Sequence, residues 1–154
     1  MKRLAAAFWI VIAVGLTALN AAAQTDNSSS PIYLFTKAES EFNQSVKEVL
    51  FPWNVDDSPI NGTALEENLH WLKDHPNIHF YVDGYASTDG ELIYNLNLSQ
   101  RRANFIKQQL IALGIPEGRI QVAAGWGQLY PVCPEQNEDC WSKNRRVRLI
   151  YAHQ

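Results

Sequence analysis

Gly84–Ala103 reads GYASTDGELIYNLNLSQRRA, and it stands between two segments of different period. Before it, Ile78, Phe80 and Val82 alternate with His79, Tyr81 and Asp83, which predicts a half-buried strand over Ile78–Tyr85. After it, Leu92, Leu96, Ala103, Ile106 and Leu110 fall on or near one face of a helix from Glu91 to Leu113. Gly114 is placed for a left-handed cap, and Pro116 follows it. A strand-to-helix turn therefore carries Ser87, Thr88, Asp89 and Gly90. Arg102 lies one or two helical turns beyond Asn95 and Ser99, so all three can approach the same surface. A guanidinium pointing outward there can grip a carboxylate bidentately, as a lysine cannot. The plainer role for Arg102 is a surface ion pair with Asp89 or Glu91, worth about 0–1 kcal/mol. Ser87–Gly90 is equally suited to closing the turn and capping the helix.

Working outward, Val46–Trp53 reads as a first strand, stopped by Pro52 and the turn Asp56-Asp57-Ser58-Pro59. Gly62–His75 reads as a short helix, with Leu65, Leu69 and Leu72 forming one apolar stripe and Glu66 and Glu67 near its positive end. Ile120–Gly125 is a third strand. Asn144–Ala152 is a fourth, in which Val147, Leu149 and Tyr151 alternate with Arg146, Arg148 and Ile150. The order β-α-β-α-β-loop-β predicts an α+β fold: a small mixed sheet with helices packed on one face. Ile32–Asn43 is either a lead-in strand or a segment packing on the domain.

The N-terminus reads as an export signal. Met1-Lys2-Arg3 is basic, Leu4–Leu19 is almost wholly apolar, and Ala21-Ala22-Ala23 suits cleavage before Gln24. The rival reading, a retained anchor, is disfavoured because the run falls short of the roughly 20 residues a spanning helix needs. Residues 1–23 are thus expected to be a signal peptide, 24–45 a polar linker and lead-in segment, and 46–154 the domain. No cysteine stands at the expected cut, which closes the usual lipoprotein route, and no transmembrane span is expected in the mature chain. Losing Lys2 and Arg3 takes the formal charge from −3 to −5. That balance argues against nucleic acid as a partner. Cys133 and Cys140 are the two cysteines, and in an oxidising exported compartment they are expected to form a disulfide. His70, His75, His79 and His153 show no metal-ligand spacing with them. No metal or other cofactor is read, and no nucleophile–base pair that would make an enzyme.

Several spaced motifs together resemble the OmpA-like, peptidoglycan-associated domain family. Its signature, G-H-T-D-x-x-G-x(4)-N-x-x-L-S-x-x-R-A, matches Gly84, Gly90, Asn95, Leu98, Ser99, Arg102 and Ala103 in register, with Tyr85 in place of the usual histidine. FPWNVDDSPI, starting at Phe51, is similar to the family's first strand and turn. GIPEGRIQVAAGWGQLYPV, starting at Gly114, is similar to its third-strand segment, and NRRVRLIY, starting at Asn144, to its closing strand. The likeness runs from about Val46 to Ala152.

The resemblance implies an OmpA-like β-α-β-α-β-β sandwich. It also implies an arginine, Arg102, that holds the carboxylate of diaminopimelate in the peptidoglycan stem peptide. The family's aspartate, which meets the ammonium group of the same residue, is replaced by Ser87. Asp89 is the candidate substitute, with Asn95, Asn144 and Arg145 assisting. The basic run Lys143, Arg145, Arg146 and Arg148 supplements the anion site or is a solvated strand flank. Tyr85, Tyr94, Trp126, Tyr130 and Trp141 place aromatic surface near the expected pocket, with packing as the plainer role. The expected protein binds peptidoglycan in the periplasm, associated with the outer membrane, and other envelope proteins are further expected partners. The alternative is an interaction module of an envelope complex that has kept the fold and lost wall binding.

Overall fold

The computed structural model describes residues 31–153. The signal-peptide reading and the serine-rich stretch up to residue 30 lie outside the described residues. In chain order the elements are α1 (Pro31–Ser45), β1 (Val49–Leu50), α2 (Gly62–Asp74), β2 (Phe80–Gly84), α3 (Leu92–Ala112), a 3-10 turn (Glu117–Arg119), β3 (Ile120–Gly125), α4 (Glu138–Asn144) and β4 (Arg146–Tyr151). The sheet order is β1-β4-β2-β3. β2 and β3 run parallel, joined through α3, while β4 pairs antiparallel with both β1 and β2.

The core joins Val49, Phe51, Leu65, Leu72, Phe80, Val82, Ala103, Ile106, Leu110, Ile115, Ile120, Val147 and Leu149. The alternation read in β2 holds, with Phe80 and Val82 inward and Tyr81 outward. The expected face of α3 holds in its second half, where Ala103, Ile106 and Leu110 are buried, and departs from it in the first half. Leu92 is exposed, and Asn95, Leu98, Ser99 and Arg102 are buried instead. The helix ends as Gly114 predicts. Gly114 has φ +101°, its N–H reaches Ile111 O at 3.0 Å, and the N–H of buried Ile115 reaches Leu110 O at 2.9 Å. Those two bonds satisfy carbonyls that the helix end would leave unpaired.

Ile32–Asn43 belongs to a helix, not a strand, and it packs on the domain. Phe42 is fully buried, with its ring 5.5 Å from Trp71, 5.8 Å from Tyr151 and 6.5 Å from Phe80. The first strand is far shorter than Val46–Trp53. Asparagine side chains from α2 and its approach take the place of strand neighbours. Asn68 exchanges two 2.7 Å bonds with the Lys47 backbone, and Asn61 accepts from Leu50 N at 2.7 Å while donating to Glu48 O at 3.0 Å. Buried backbone groups are thereby paired without a ladder. The PVCPEQNEDCW loop holds a short helix, α4, started by Asn137, whose side chain accepts from Cys140 N at 3.0 Å. Cys133 and Cys140 form the expected disulfide.

Two glycines let α3 approach the sheet. Gly84 and Gly125 are opposite each other across the β2–β3 pair. A Cβ on Gly84 would stand 2.1 Å from Ser99 O, and one on Gly125 would stand 2.3 Å from Gln100 N. The helix backbone sits directly on the strand ends, so no side chain fits between. Gln100 then bonds Ala123 O and Gly125 N at 2.9 Å each. Gly84→Ala is expected to lower stability in urea unfolding by at least about 1–3 kcal/mol, the usual cost of overpacking. Gly62→Ala, where a Cβ meets nothing within 4 Å, should be neutral or stabilising by up to about 1 kcal/mol as a helix substitution. Equal midpoints for the two variants would contradict this packing.

Candidate functional site

A hollow of about 310 Å³ opens where the β1–α2 loop, the turn after β2 and the start of α3 meet. It is lined by Trp53, Asn54, Ser87, Asp89, Gly90, Tyr94, Asn95, Leu98 and Arg145. Its two walls are loops, so the first question is what fixes them.

Arg102 does, from below. Its side chain is fully buried. Nε donates to Val55 O at 2.8 Å, one terminal nitrogen to Pro52 O at 2.9 Å, and the other to Tyr85 O at 3.3 Å. The guanidinium also stands 5.2 Å from the Phe51 ring centre. One cation thus ties the Pro52–Val55 turn of one wall to the chain entering the other. Asn54 helps by taking the left-handed region, φ 57°, which asparagine tolerates well. The expected outward clamp is therefore corrected. Arg102 does not line the hollow, and it pairs with neither Asp89 nor Glu91. Its neighbour Arg101 makes the exposed ion pair, with Asp56. Burial, reinforced by the charge of Arg145, lowers the Arg102 pKa to about 10, so it remains a cation at neutral pH, with no acid bonded to it among the described residues.

Asn95 fixes the other wall. It is buried at the first turn of α3, and its amide donates to Ser87 O and Asp89 O at 3.1 Å each and to the Gln128 side chain at 2.6 Å. The amide N–H groups are used on the turn itself. Ser87 is 5% exposed and lies on the lining. Ala86 N bonds Gly127 O at 2.8 Å, and Ser99 Oγ accepts from Gly127 N at 2.8 Å. The turn is held by the Asn95 side chain and by a backbone bond to Gly127.

Two charged groups face this hollow. Asp89 accepts from Trp53 Nε1 at 3.3 Å through Oδ2, whereas its Oδ1 is buried with no hydrogen-bond partner among the described residues. Buried carboxylate oxygens normally have donors, so the carboxylate of this lining residue keeps an unfilled acceptor. Arg145 is the cation of the lining. Its Nε donates to Phe51 O at 3.3 Å, and its terminal nitrogens engage the exposed carboxylate of Glu138. A guanidinium with five N–H groups keeps donors beyond those three bonds. An ammonium at Asp89 and a carboxylate at Arg145 would complete both.

The remaining candidates are placed elsewhere. Asn144 is fully buried and its side chain is used on the loop before α4. It accepts from Val132 N at 2.9 Å and Cys133 N at 3.1 Å, and donates to Cys133 O at 2.8 Å. Arg146 is not a solvated flank. It is 3% exposed, stacked 3.9 Å over the Tyr85 ring and within 3.3 Å of Glu48. Arg148 does face solvent. Trp126 and Tyr130 pack edge to face at 5.6 Å, away from the lining. Cys133, Glu135 and Cys140 cluster closely, but both sulfurs are in the disulfide and are no longer thiolate ligands. Sequence reasoning missed Trp53, Asn54, Gly90, Leu98 and the Glu138 partner. The Pro52-Trp53-Asn54 run carried the signal, since a tryptophan at a proline–asparagine turn points away from a strand core.

A model of the OmpA family matches residues 58–145. The peptidoglycan-associated lipoprotein of Rhizobium meliloti is 30% identical over 116 residues, covering 73% of this chain and 65% of its own length. The chain thus spans just under two thirds of that relative. The Brucella melitensis protein of the same name is 31% identical over 116 residues, covering 73% of this chain and 68% of its own. The crystal structure of the peptidoglycan-associated lipoprotein from Burkholderia pseudomallei superposes with a TM-score of 0.62 at 30% identity, over 69% of this chain and 90% of that one. The C-terminal domain of Helicobacter pylori MotB gives a TM-score of 0.60 at 18% identity, over 71% and 86%, a likeness of fold. By matched span, identity and architecture together, this chain belongs to the OmpA family.

Proposed function

We propose that this chain is an exported envelope protein that binds peptidoglycan non-covalently in the periplasm, through a stem peptide of the diaminopimelate type. The observation that carries this reading is that Asp89, which keeps an unpartnered carboxylate oxygen, and the cation Arg145 line the same hollow. That pair complements an amino-acid zwitterion. Asp89 takes the ammonium group, Arg145 takes the carboxylate, and Ser87 contributes a neutral contact between them. Arg102 acts from behind the lining: it holds both walls and leaves a positive charge beneath the anion side. Asn95 and Asn144 are positioning residues for the turn and for the loop before α4. The relatives from Rhizobium, Brucella and Burkholderia are named peptidoglycan-associated lipoproteins, which supports peptidoglycan as the ligand.

The second reading, an interaction module, draws on Leu129, Tyr130 and Val132, each more than half exposed beside Trp126. Such a patch suits a protein partner. Retention on purified sacculi separates the two readings, because the module alone binds no wall.

Binding to sacculi or to a soluble muropeptide should fall at least about tenfold in Arg145→Ala and in Asp89→Asn, since a hydrogen bond to a charged group is worth about 1.5–3 kcal/mol. Neither variant should lose much stability by comparison with Arg102→Ala. That change takes the guanidinium donors from the carbonyls of Pro52, Val55 and Tyr85, of which Pro52 O keeps a 3.4 Å bond from Val55 N. An unpaired buried group costs about 1–3 kcal/mol, so melting temperature and binding should fall together. Unchanged retention by Arg145→Ala, with wild-type stability, would remove the zwitterion reading.

Glu138 competes with a ligand carboxylate for Arg145. Glu138→Gln is therefore expected to tighten muropeptide binding by a few fold, in line with a partly exposed ion pair worth about 1 kcal/mol. Titration calorimetry checks this, and weaker binding would mean that the pair orients Arg145 for the ligand.

A further inference from the structure

The hollow has an aromatic mouth that binding an amino-acid zwitterion does not require. Trp53 is 67% exposed and Tyr94 46% exposed. Of the exposed large apolar side chains among the described residues, these two line the hollow. Neither ring is loose. Trp53 Nε1 donates to Asp89 Oδ2 at 3.3 Å, and the Tyr94 hydroxyl donates to the Asn54 side chain. The turn that carries Trp53 is anchored from beneath by the two Arg102 bonds to Pro52 O and Val55 O. Each ring is thus tethered by its polar atom at one edge while much of its surface stays in water. Rings held open in this way are pre-organised, because little side-chain freedom remains to be lost when something packs on them.

What packs there must suit both the rings and their surroundings. The groups around the two rings are hydrogen-bonding ones: Asn54, Ser87, Asp89 and Asn95. A purely apolar partner would leave those groups desolvated and unpaired, which is costly. A pyranose ring matches the combination. Its axial C–H bonds make an apolar face that lies flat on an indole or phenol, while its hydroxyl and acetamido groups project sideways to amides and carboxylates.

We propose that Trp53 and Tyr94 form a saccharide platform, which takes the face of an amino sugar of the glycan strand bearing the bound stem peptide. This rests on the reading of the hollow as the stem-peptide site. The hollow would then recognise the junction between sugar and peptide, and discriminate intact wall material from free peptide.

The test compares two ligands by titration calorimetry: a free stem tripeptide ending in diaminopimelate, and the same tripeptide on its N-acetylglucosaminyl–N-acetylmuramyl disaccharide. Wild type should bind the disaccharide-peptide about five- to tenfold more tightly, equivalent to about 1 kcal/mol. In Trp53→Ala and in Tyr94→Ala that ratio should fall to near one. Trp53→Phe, which keeps a flat ring and loses the N–H, should retain most of it. Melting curves confirm that the variants fold. Equal affinities of wild type for the two ligands, or a ratio that survives Trp53→Ala, would overturn the platform while the peptide site stands. Failure of wild type to bind either ligand would overturn the reading of the hollow and the platform with it. Binding of an aromatic-rich envelope protein that competes with the disaccharide-peptide, without any gain from the sugar, would assign the mouth to a protein instead.

Discussion

A guanidinium taken out of water needs acceptors in the water's place, and the site follows from how Arg102 meets that need. Removing a cation from solvent costs several kcal/mol unless hydrogen bonds replace the lost water. Arg102 uses main-chain carbonyls where an acid might have served, and all three come from places where the chain leaves regular structure: Pro52, Val55 and Tyr85. The same device appears at the other end of the molecule. Arg119 donates to Leu72 O, His75 O and Ile78 O at 2.8–2.9 Å, gathering the carbonyls around the end of α2. An arginine suits this work because its donors fan out in one plane and it remains charged. The consequence at Arg102 is a positive charge with no acid bonded to it, lying under a hollow whose walls it holds in place.

The substitution at Ser87 becomes intelligible against that frame. Ser87 is nearly buried, and its carbonyl is held by Asn95, so the turn keeps its course without a carboxylate there. Two residues later, Asp89 brings a carboxylate to the same lining with one oxygen unpartnered. The cation of the same lining is Arg145, at the entrance to β4, which also bonds the Phe51 backbone in both directions.

Much of the architecture was legible because it rests on periodicity and on two glycine positions. β2, α3 and β3 were readable from alternation, helical spacing and the Gly114 cap; the boundaries of β2 and α3 differ by one or two residues and those of β3 coincide. What could not be read depended on tertiary partners. β1 is two residues long because Asn61 and Asn68 supply bonds that strand neighbours would otherwise give. Helix α1 is amphipathic enough to dock Phe42, but a short stretch of Ile, Tyr, Leu and Phe reads equally well as strand. The site was half legible. Ser87, Asp89, Asn95 and Arg145 do meet at one hollow. Spacing on α3 put Arg102 near them, yet could not tell whether its guanidinium pointed into the hollow or beneath it. That depended on the Pro52–Val55 turn, some fifty residues away in the chain. Arg146 was misplaced for a similar reason: strand alternation assigns a face, and here that face is covered by Tyr85 and Glu48.

Side-chain nuclear magnetic resonance tests the division of labour between the two arginines most directly. The Nε–H signals of Arg102 and Arg145 would be followed during titration with a diaminopimelate-containing tripeptide. Protected exchange at Arg102 Nε–H, before and after saturation, is predicted, with the larger shifts at Arg145 and at the Asp89 and Gly90 amides. Rapid exchange of the Arg102 proton in the free protein, or a ligand-induced shift centred on it while Arg145 stays still, would contradict the account.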